Sequence, residues 1–270
     1  MMAKTYGALK RAEEEKGVKA EIPPVMDDSG EKESPPPSFE EFPRVQPFPT
    51  PARSIPGESL SLLVEEYQRM KHKITHSDPT LVMKAILFSS PGRGEGNSTV
   101  LIQFARTLAA EGNRVLLVDG NLRVPSLHKA FHLPRENGLT ELIFSRSPFR
   151  NISQFLKQTT LDNLWVITSG NTFPNPASIL ESSYLEILID EVKGHFDWIL
   201  FDSPPVTSYS DSVALARAVD GVVLVVQAEK TRWEVVQEIQ GRLEHGGGRI
   251  LGVVLNKRQF HIPNWLYKSI

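Results

Sequence analysis

From Lys84 onward the chain alternates short, continuous apolar runs with longer stretches in which apolar residues recur every three or four positions. The runs are KAILFSS, NRVLLVDG, DNLWVITSG, FDWILFDS, GVVLVVQA and RILGVVLN. Uninterrupted runs of this length predict strands buried on both faces, as in a parallel sheet, rather than the in-out alternation of a sheet with one wet face. Between them, STVLIQFARTLAAEG and residues 177–192, 211–218 and 232–245 carry helical spacing. Parallel strands need such crossovers, so the pattern predicts a doubly wound, mostly parallel α/β sheet.

Upstream, Leu60, Leu63, Val64, Tyr67, Met70, Lys71 and Ile74 fall at spacings of three and four and predict an amphipathic helix over 58–74 that opens the folded part, 58–270. Residues 21–57 are rich in Pro, Ser, Asp and Glu, with Pro35-Pro36-Pro37 and Phe48-Pro49-Thr50-Pro51 unable to hold helix or ladder; a semi-extended, disordered linker is expected. Residues 1–20 begin with helix-forming Ala, Leu, Lys and Glu, and Tyr6, Leu9 and Lys10 lie near one face before Gly17. Two readings stand there: a short docking helix that orders on a partner, or a frayed polar terminus.

Composition narrows the chemistry. With a net charge of −2 the chain lacks the basic footprint of a nucleic-acid binder, and none is expected as a partner. The 270 residues include no cysteine, which removes disulfides, thiolate metal sites and cysteine nucleophiles. No apolar stretch reaches the roughly 20 residues that span a bilayer, so a cytoplasmic location is expected.

The first run leads directly into PGRGEGNSTV and then a helix. A strand, a glycine loop and a helix N-terminus together form a phosphate cradle: glycines let the backbone close, N–H groups converge, and the helix end adds partial positive charge. The loop set Gly92, Gly94, Glu95, Gly96, Asn97, Ser98 and Thr99 is the candidate nucleotide site, with the Ser98 hydroxyl placed for Mg²⁺ and Thr99 for a phosphate oxygen. Asn97 stands where the usual loop places a lysine, and Pro91 where it places its leading glycine. An amide carries no charge to follow phosphate through transfer, so turnover is expected to suffer more than loop architecture.

Two strands end in carboxylates, VLLVDG at Asp119 and FDWILFDS at Asp202. Both fall at the strand ends where open α/β sheets bind ligands, and with Ser98 they form a candidate Mg²⁺ set. Asn256, closing the last run, is a candidate adenine contact or an ordinary strand-ending residue. His128 and His132 have i, i+4 spacing without a third ligand and are expected to be packing or surface residues.

In order and spacing, SSPGRGEGNST, VLLVDGNLR-x-P, TSGNTFPNPASIL, FDWILFDSPPVTSYSDSVALARAVDGVVLVV and LGVVLNKRQ resemble the bacterial tyrosine autokinases that regulate polysaccharide polymerisation and export. The resemblance covers roughly residues 58–267. It implies a P-loop domain of deviant Walker A type that binds ATP or ADP with Mg²⁺, phosphorylates its own tyrosines and assembles into a homo-oligomeric ring. It further implies work with a membrane polysaccharide co-polymerase at the inner face of the membrane.

Departures from the family pattern are specific. The family's loop lysine corresponds to Asn97, and the second aspartate of its D-x-D strand motif to Asn121. Its subunit-engaging helix motif survives as Glu65, Tyr67, Gln68 and Lys71, and its C-terminal tyrosine cluster as Tyr267 alone. Arg93 in the loop and Arg123 after the second strand are the basic residues that could replace the missing charge. The expectation is a regulatory member with weak or no kinase activity; the alternatives are an active autokinase and a nucleotide-gated positioning ATPase. The last normally carries an additional early loop lysine that is absent here.

Overall fold

The computed structural model describes residues 57–78, 82–145, 152–173, 175–181 and 183–258. The expected docking helix, the linker up to residue 56, and Tyr267 lie outside them. The elements run α1 (Gly57–Thr75), β1 (Ala85–Ser89), α2 (Asn97–Ala110), β2 (Val115–Asp119), α3 (Leu127–Ala130), α4 (Leu139–Phe144), β3 (Lys157–Gln158), β4 (Leu164–Ile167), α5 (Pro176–Leu180), α6 (Ser183–Lys193), β5 (Trp198–Asp202), α7 (Asp211–Ala218), β6 (Gly221–Gln227), α8 (Trp233–His245) and β7 (Ile250–Asn256).

The seven strands form one sheet in the order β3-β4-β2-β5-β1-β6-β7. Every pairing is parallel except β3 with β4. β1 therefore lies between β5 and β6, and the loop after it opens where the chain winds in both directions, the place where such sheets bind ligands.

All residues of β1, β2, β4 and β5 are buried, as the continuous apolar runs predict. Ile86, Phe88, Val115, Leu117 and Leu200 share a core with Val100, Leu101, Phe104 and Leu108 of α2. By the two-residue alternation of strands, Leu87, Leu116, Ile199 and Phe201 face the opposite side, where α6 packs on β5 and α7 on β1. Phe104 is fully buried, its ring 5.8 Å from Phe88 and 5.7 Å from Trp198.

α1 closes over α2. Tyr67 lies 6.4 Å from Phe104 between ring centres, and Ile74 is buried. Lys71 and Gln68 both donate to the Glu111 carboxylate just past α2, at 2.6 and 3.1 Å. Against the desolvation that would raise it, these contacts hold Glu111 below the ordinary carboxylate range. Glu65 pairs with Arg69 at 3.8 Å, so all four residues matching the subunit-engaging motif have partners within their own chain.

Two expectations need correction. The single helix expected over 177–192 is broken: α5 ends at Leu180 and α6 begins at Ser183. β7 is not buried on both faces, with Val253 39% and Leu255 66% exposed, because it is the edge strand and pairs only with β6. The short elements α3, α4 and β3 had no counterpart in the pattern, being too brief to show a period.

Candidate functional site

The loop between β1 and α2 takes its shape from two glycines in the left-handed region, Gly94 at φ 80° and Gly96 at φ 95°. Gly96 is the N-cap of α2 and supplies no side-chain cap, so the first N–H groups of a 14-residue helix face the cleft above it. A Cβ on Gly96 would stand 2.1 Å from Asn256 Nδ2. Only glycine satisfies both the dihedral and the approach.

The loop is clamped from the β6–β7 side. Glu95 is buried, and its carboxylate accepts hydrogen bonds from the backbone N–H of Gln227 and, at 2.8 Å, from the Thr231 hydroxyl. Asn256 Nδ2 donates to the Glu95 carbonyl at 2.8 Å, and Lys257 Nζ donates to the Gly94 carbonyl. The side chains of Glu95 and Asn256 are thereby committed to holding the loop. The cleft in front measures about 310 Å³, within the range of small-ligand sites, and is lined by Gly92, Arg93, Gly94, Ser98, Thr99 and Tyr209 among others.

At the floor the predicted metal set comes together. Asp119 and Asp202 are register partners on β2 and β5, and both are fully buried. Ser98 Oγ donates to Asp202 Oδ2 at 2.7 Å. Asn97, at the first turn of α2, donates Nδ2 to Asp202 Oδ1 at 2.7 Å and to the Phe88 carbonyl at 3.0 Å. Asp119 Oδ2 accepts the backbone N–H groups of Ser126 and Leu127 at 3.1 and 3.0 Å.

Burial, reinforced by the charge of Asp202, pushes the Asp119 carboxyl up to about 7. Burial pushes Asp202 up to about 6, against the hydrogen bonds of Ser98, Asn97 and Ser126 that favour its charged form. Asp119 Oδ1 and Asn97 Oδ1 are buried oxygens without a hydrogen-bond partner among the described residues. Two carboxylates, a hydroxyl and unmatched oxygens at one place are the donor chemistry of a hard divalent cation, so the residues fit Mg²⁺.

The remaining candidates divide. Thr99 is exposed at the cleft, and Asn121 lines it while its Oδ1 caps the turn at the Val124 N–H, 3.1 Å away. Arg123 is engaged elsewhere, donating Nε and Nη2 to the buried Asp211 at 2.7 and 3.0 Å. Arg93 lines the cleft and donates to the Tyr209 hydroxyl at 3.1 Å.

Sequence reasoning missed Ser126, whose hydroxyl reaches Asp202 at 3.3 Å, and Tyr209, at the cleft wall. Ser126 acts partly through its backbone, which leaves no residue-type signature. Tyr209 carries only the faint signal of lying seven residues after Asp202 in the segment that follows a strand-end carboxylate.

A family model described as an AAA domain matches residues 83–245. The putative tyrosine-protein kinase CapB of Staphylococcus aureus is 34% identical over 197 residues, which is 73% of this chain and 85% of CapB. The chain belongs to the bacterial tyrosine-protein kinase family. Tyrosine-protein kinase YwqD of Bacillus subtilis (strain 168) is 33% identical over 202 residues, 75% of this chain and 84% of YwqD. The crystal structure of the chimerical protein CapA2B2 superposes with a TM-score of 0.66 at 29% identity, covering 73% of this chain and 85% of the chimera. The P-loop α/β fold and a kinase-like role are thus family properties. Among the described residues, no helix is long and apolar enough to cross a membrane.

Proposed function

We propose that this protein is a nucleotide-binding regulatory member of the tyrosine-kinase family, acting in polysaccharide polymerisation and export with weak or no phosphoryl transfer. ATP or ADP occupies the cleft with its phosphates on the 92–99 loop, and Mg²⁺ is held by Ser98, Asp119 and Asp202. The metal, when bound, neutralises phosphate charge, and the loop N–H groups orient the chain of phosphates. The protein docks on a membrane polysaccharide co-polymerase at the inner face of the membrane and forms homo-oligomers there. The nucleotide state is then the signal.

The observation that carries this reading is Asn97. In the position where the family pattern has a lysine, its amide is turned down onto Asp202 and the Phe88 carbonyl, so it brings no charge to the phosphates. Loss of one such electrostatic group costs on the order of 10² to 10³ in rate. Incubation of purified protein with ATP, Mg²⁺ and its membrane partner, followed by phosphotyrosine detection, is expected to give little labelling. Strong labelling that Asp202→Ala abolishes would overturn the reading.

An active autokinase is the second reading, supported by the intact oxygen set of Ser98, Asp119 and Asp202. It requires that Asn97→Lys change activity little, whereas the regulatory reading expects a large gain.

A further inference from the structure

We infer that Arg93 is the phosphate-binding cation of this loop, supplying the charge that Asn97 lacks, and that Tyr209 is the positioning residue that keeps its guanidinium at the cleft. The inference rests on the nucleotide-binding reading and concerns how the same site holds phosphate.

The need is electrostatic. Beneath the cradle lie two buried carboxylates and, among the described residues, no lysine, and a magnesium-bound polyphosphate adds further negative charge. Helix-end N–H groups contribute only partial charge, roughly half an elementary unit for the whole terminus. A full cation in the cleft is required for tight binding.

Among the described residues, Lys257, Arg123 and Arg93 are the cations near the loop, and the geometry separates them. Lys257 donates to the Gly94 carbonyl, and its Cε lies 3.8 Å from where a Gly96 Cβ would stand, on the β7 side of the loop and outside the cleft lining. Arg123 forms a two-point pair with Asp211, whose side chain is fully buried. Drawing Arg123 away would leave that carboxylate charged and unpaired in the interior, a large penalty. Arg93 is the cation that lines the cleft among the described residues. It is exposed, no carboxylate pairs with it among those residues, and its hydrogen bond goes to a neutral hydroxyl. That bond can be exchanged for a phosphate oxygen at small cost, because a charge-assisted bond replaces a weaker one.

Tyr209 explains where Arg93 waits. The Arg123 guanidinium carbon lies 4.2 Å from the centre of the Tyr209 ring, in cation–π geometry. A connected series therefore runs from the buried Asp211 through Arg123 to the Tyr209 ring and from its hydroxyl to Arg93. The ion pair fixes the ring, the ring fixes the hydroxyl, and the hydroxyl holds the mobile end of a long side chain over the phosphates. A guanidinium suits the task, since its fork matches two phosphate oxygens at once. Set on the loop's tip rather than at the first turn of α2, it grips phosphate in the ground state without tracking the transferring group, which agrees with binding that outlasts catalysis.

The test titrates the full chain, with Mg²⁺, against a fluorescent ADP and the matching fluorescent adenosine. Arg93→Ala is expected to weaken ADP binding about tenfold or more, the scale of one charge-assisted contact. Adenosine binding and the thermal midpoint should stay as in the wild type. Arg93→Lys should recover most of the ADP affinity, and Tyr209→Phe, which keeps the ring under Arg123 but loses the hydroxyl, should weaken it by a few-fold. The salt dependence of ADP binding should be shallower in Arg93→Ala than in the wild type. Equal ADP affinity and equal salt dependence in wild type and Arg93→Ala would overturn the inference while leaving nucleotide binding intact. A wild-type protein that binds neither probe would overturn both proposals.

Discussion

Asn97 donates its side-chain amide to Asp202 at 2.7 Å. The loop residue nearest the chemistry is therefore bonded through its amide N–H to the carboxylate at the end of β5 and supplies no charge. The amide also reaches the Phe88 carbonyl, so the contact is anchored in the sheet rather than in the cleft.

Restoring a lysine changes this balance. Asn97→Lys removes the amide bridge and brings an ammonium beside two carboxylates whose charged forms are disfavoured by burial. Nucleotide affinity should rise, and phosphotyrosine labelling with ATP and Mg²⁺ should increase by on the order of tenfold or more. Labelling assays on the two proteins side by side check this.

The acidic pair makes stability depend on pH in a defined direction. Carboxyl groups raised to about 7 and about 6 in the folded state bind more protons than the unfolded chain does above pH 4. Their contribution is thus fully present near pH 4 and is lost as pH rises towards 7. Thermal midpoints of the nucleotide-free protein should fall between pH 5 and pH 7.5, Mg²⁺ with ADP should offset the fall, and Asp119→Asn should flatten it.

Glu95 is expected to behave as an anchor of the loop. Glu95→Ala strips the partners of the Gln227 N–H and the Thr231 hydroxyl, two bonds to a charged acceptor. The loss should be about 2–4 kcal/mol in denaturant unfolding, with nucleotide affinity reduced as the loop loosens. Glu95→Gln, which keeps the shape, should lose less.

Gly96 tests the close approach. Gly96→Ala forces Asn256 Nδ2 away from a Cβ that would stand 2.1 Å from it, and so breaks the bond from Asn256 to the Glu95 carbonyl. The double variant Gly96→Ala with Asn256→Ala removes the collision but retains the left-handed strain of about 1–2 kcal/mol. Phosphate binding should be lost in the single variant and partly recovered in the double, as read by ADP titration.

The sequence by itself determined the sheet and the position of the site along it. Six apolar runs became β1, β2, β4, β5, β6 and β7, and in all but the edge strand β7 the run reflects burial of both strand faces, which is written in consecutive residues. The glycine loop was equally legible, since its dihedrals and its helix are local. The strand-end positions of Asp119 and Asp202 followed from the runs that carry them.

Only the tertiary structure decided what these groups touch. Asn97 meets Asp202 across 105 positions, Glu95 meets Gln227 across 132, and Arg93 meets Tyr209 across 116. The same holds for Arg123, whose partner Asp211 lies 88 residues beyond it. The exposure of β7 is likewise a property of its place at the sheet edge and not of its composition. Periodicity reports which face of an element is apolar, but the partner of a polar side chain is fixed by strand order, which brings together groups that no local pattern relates.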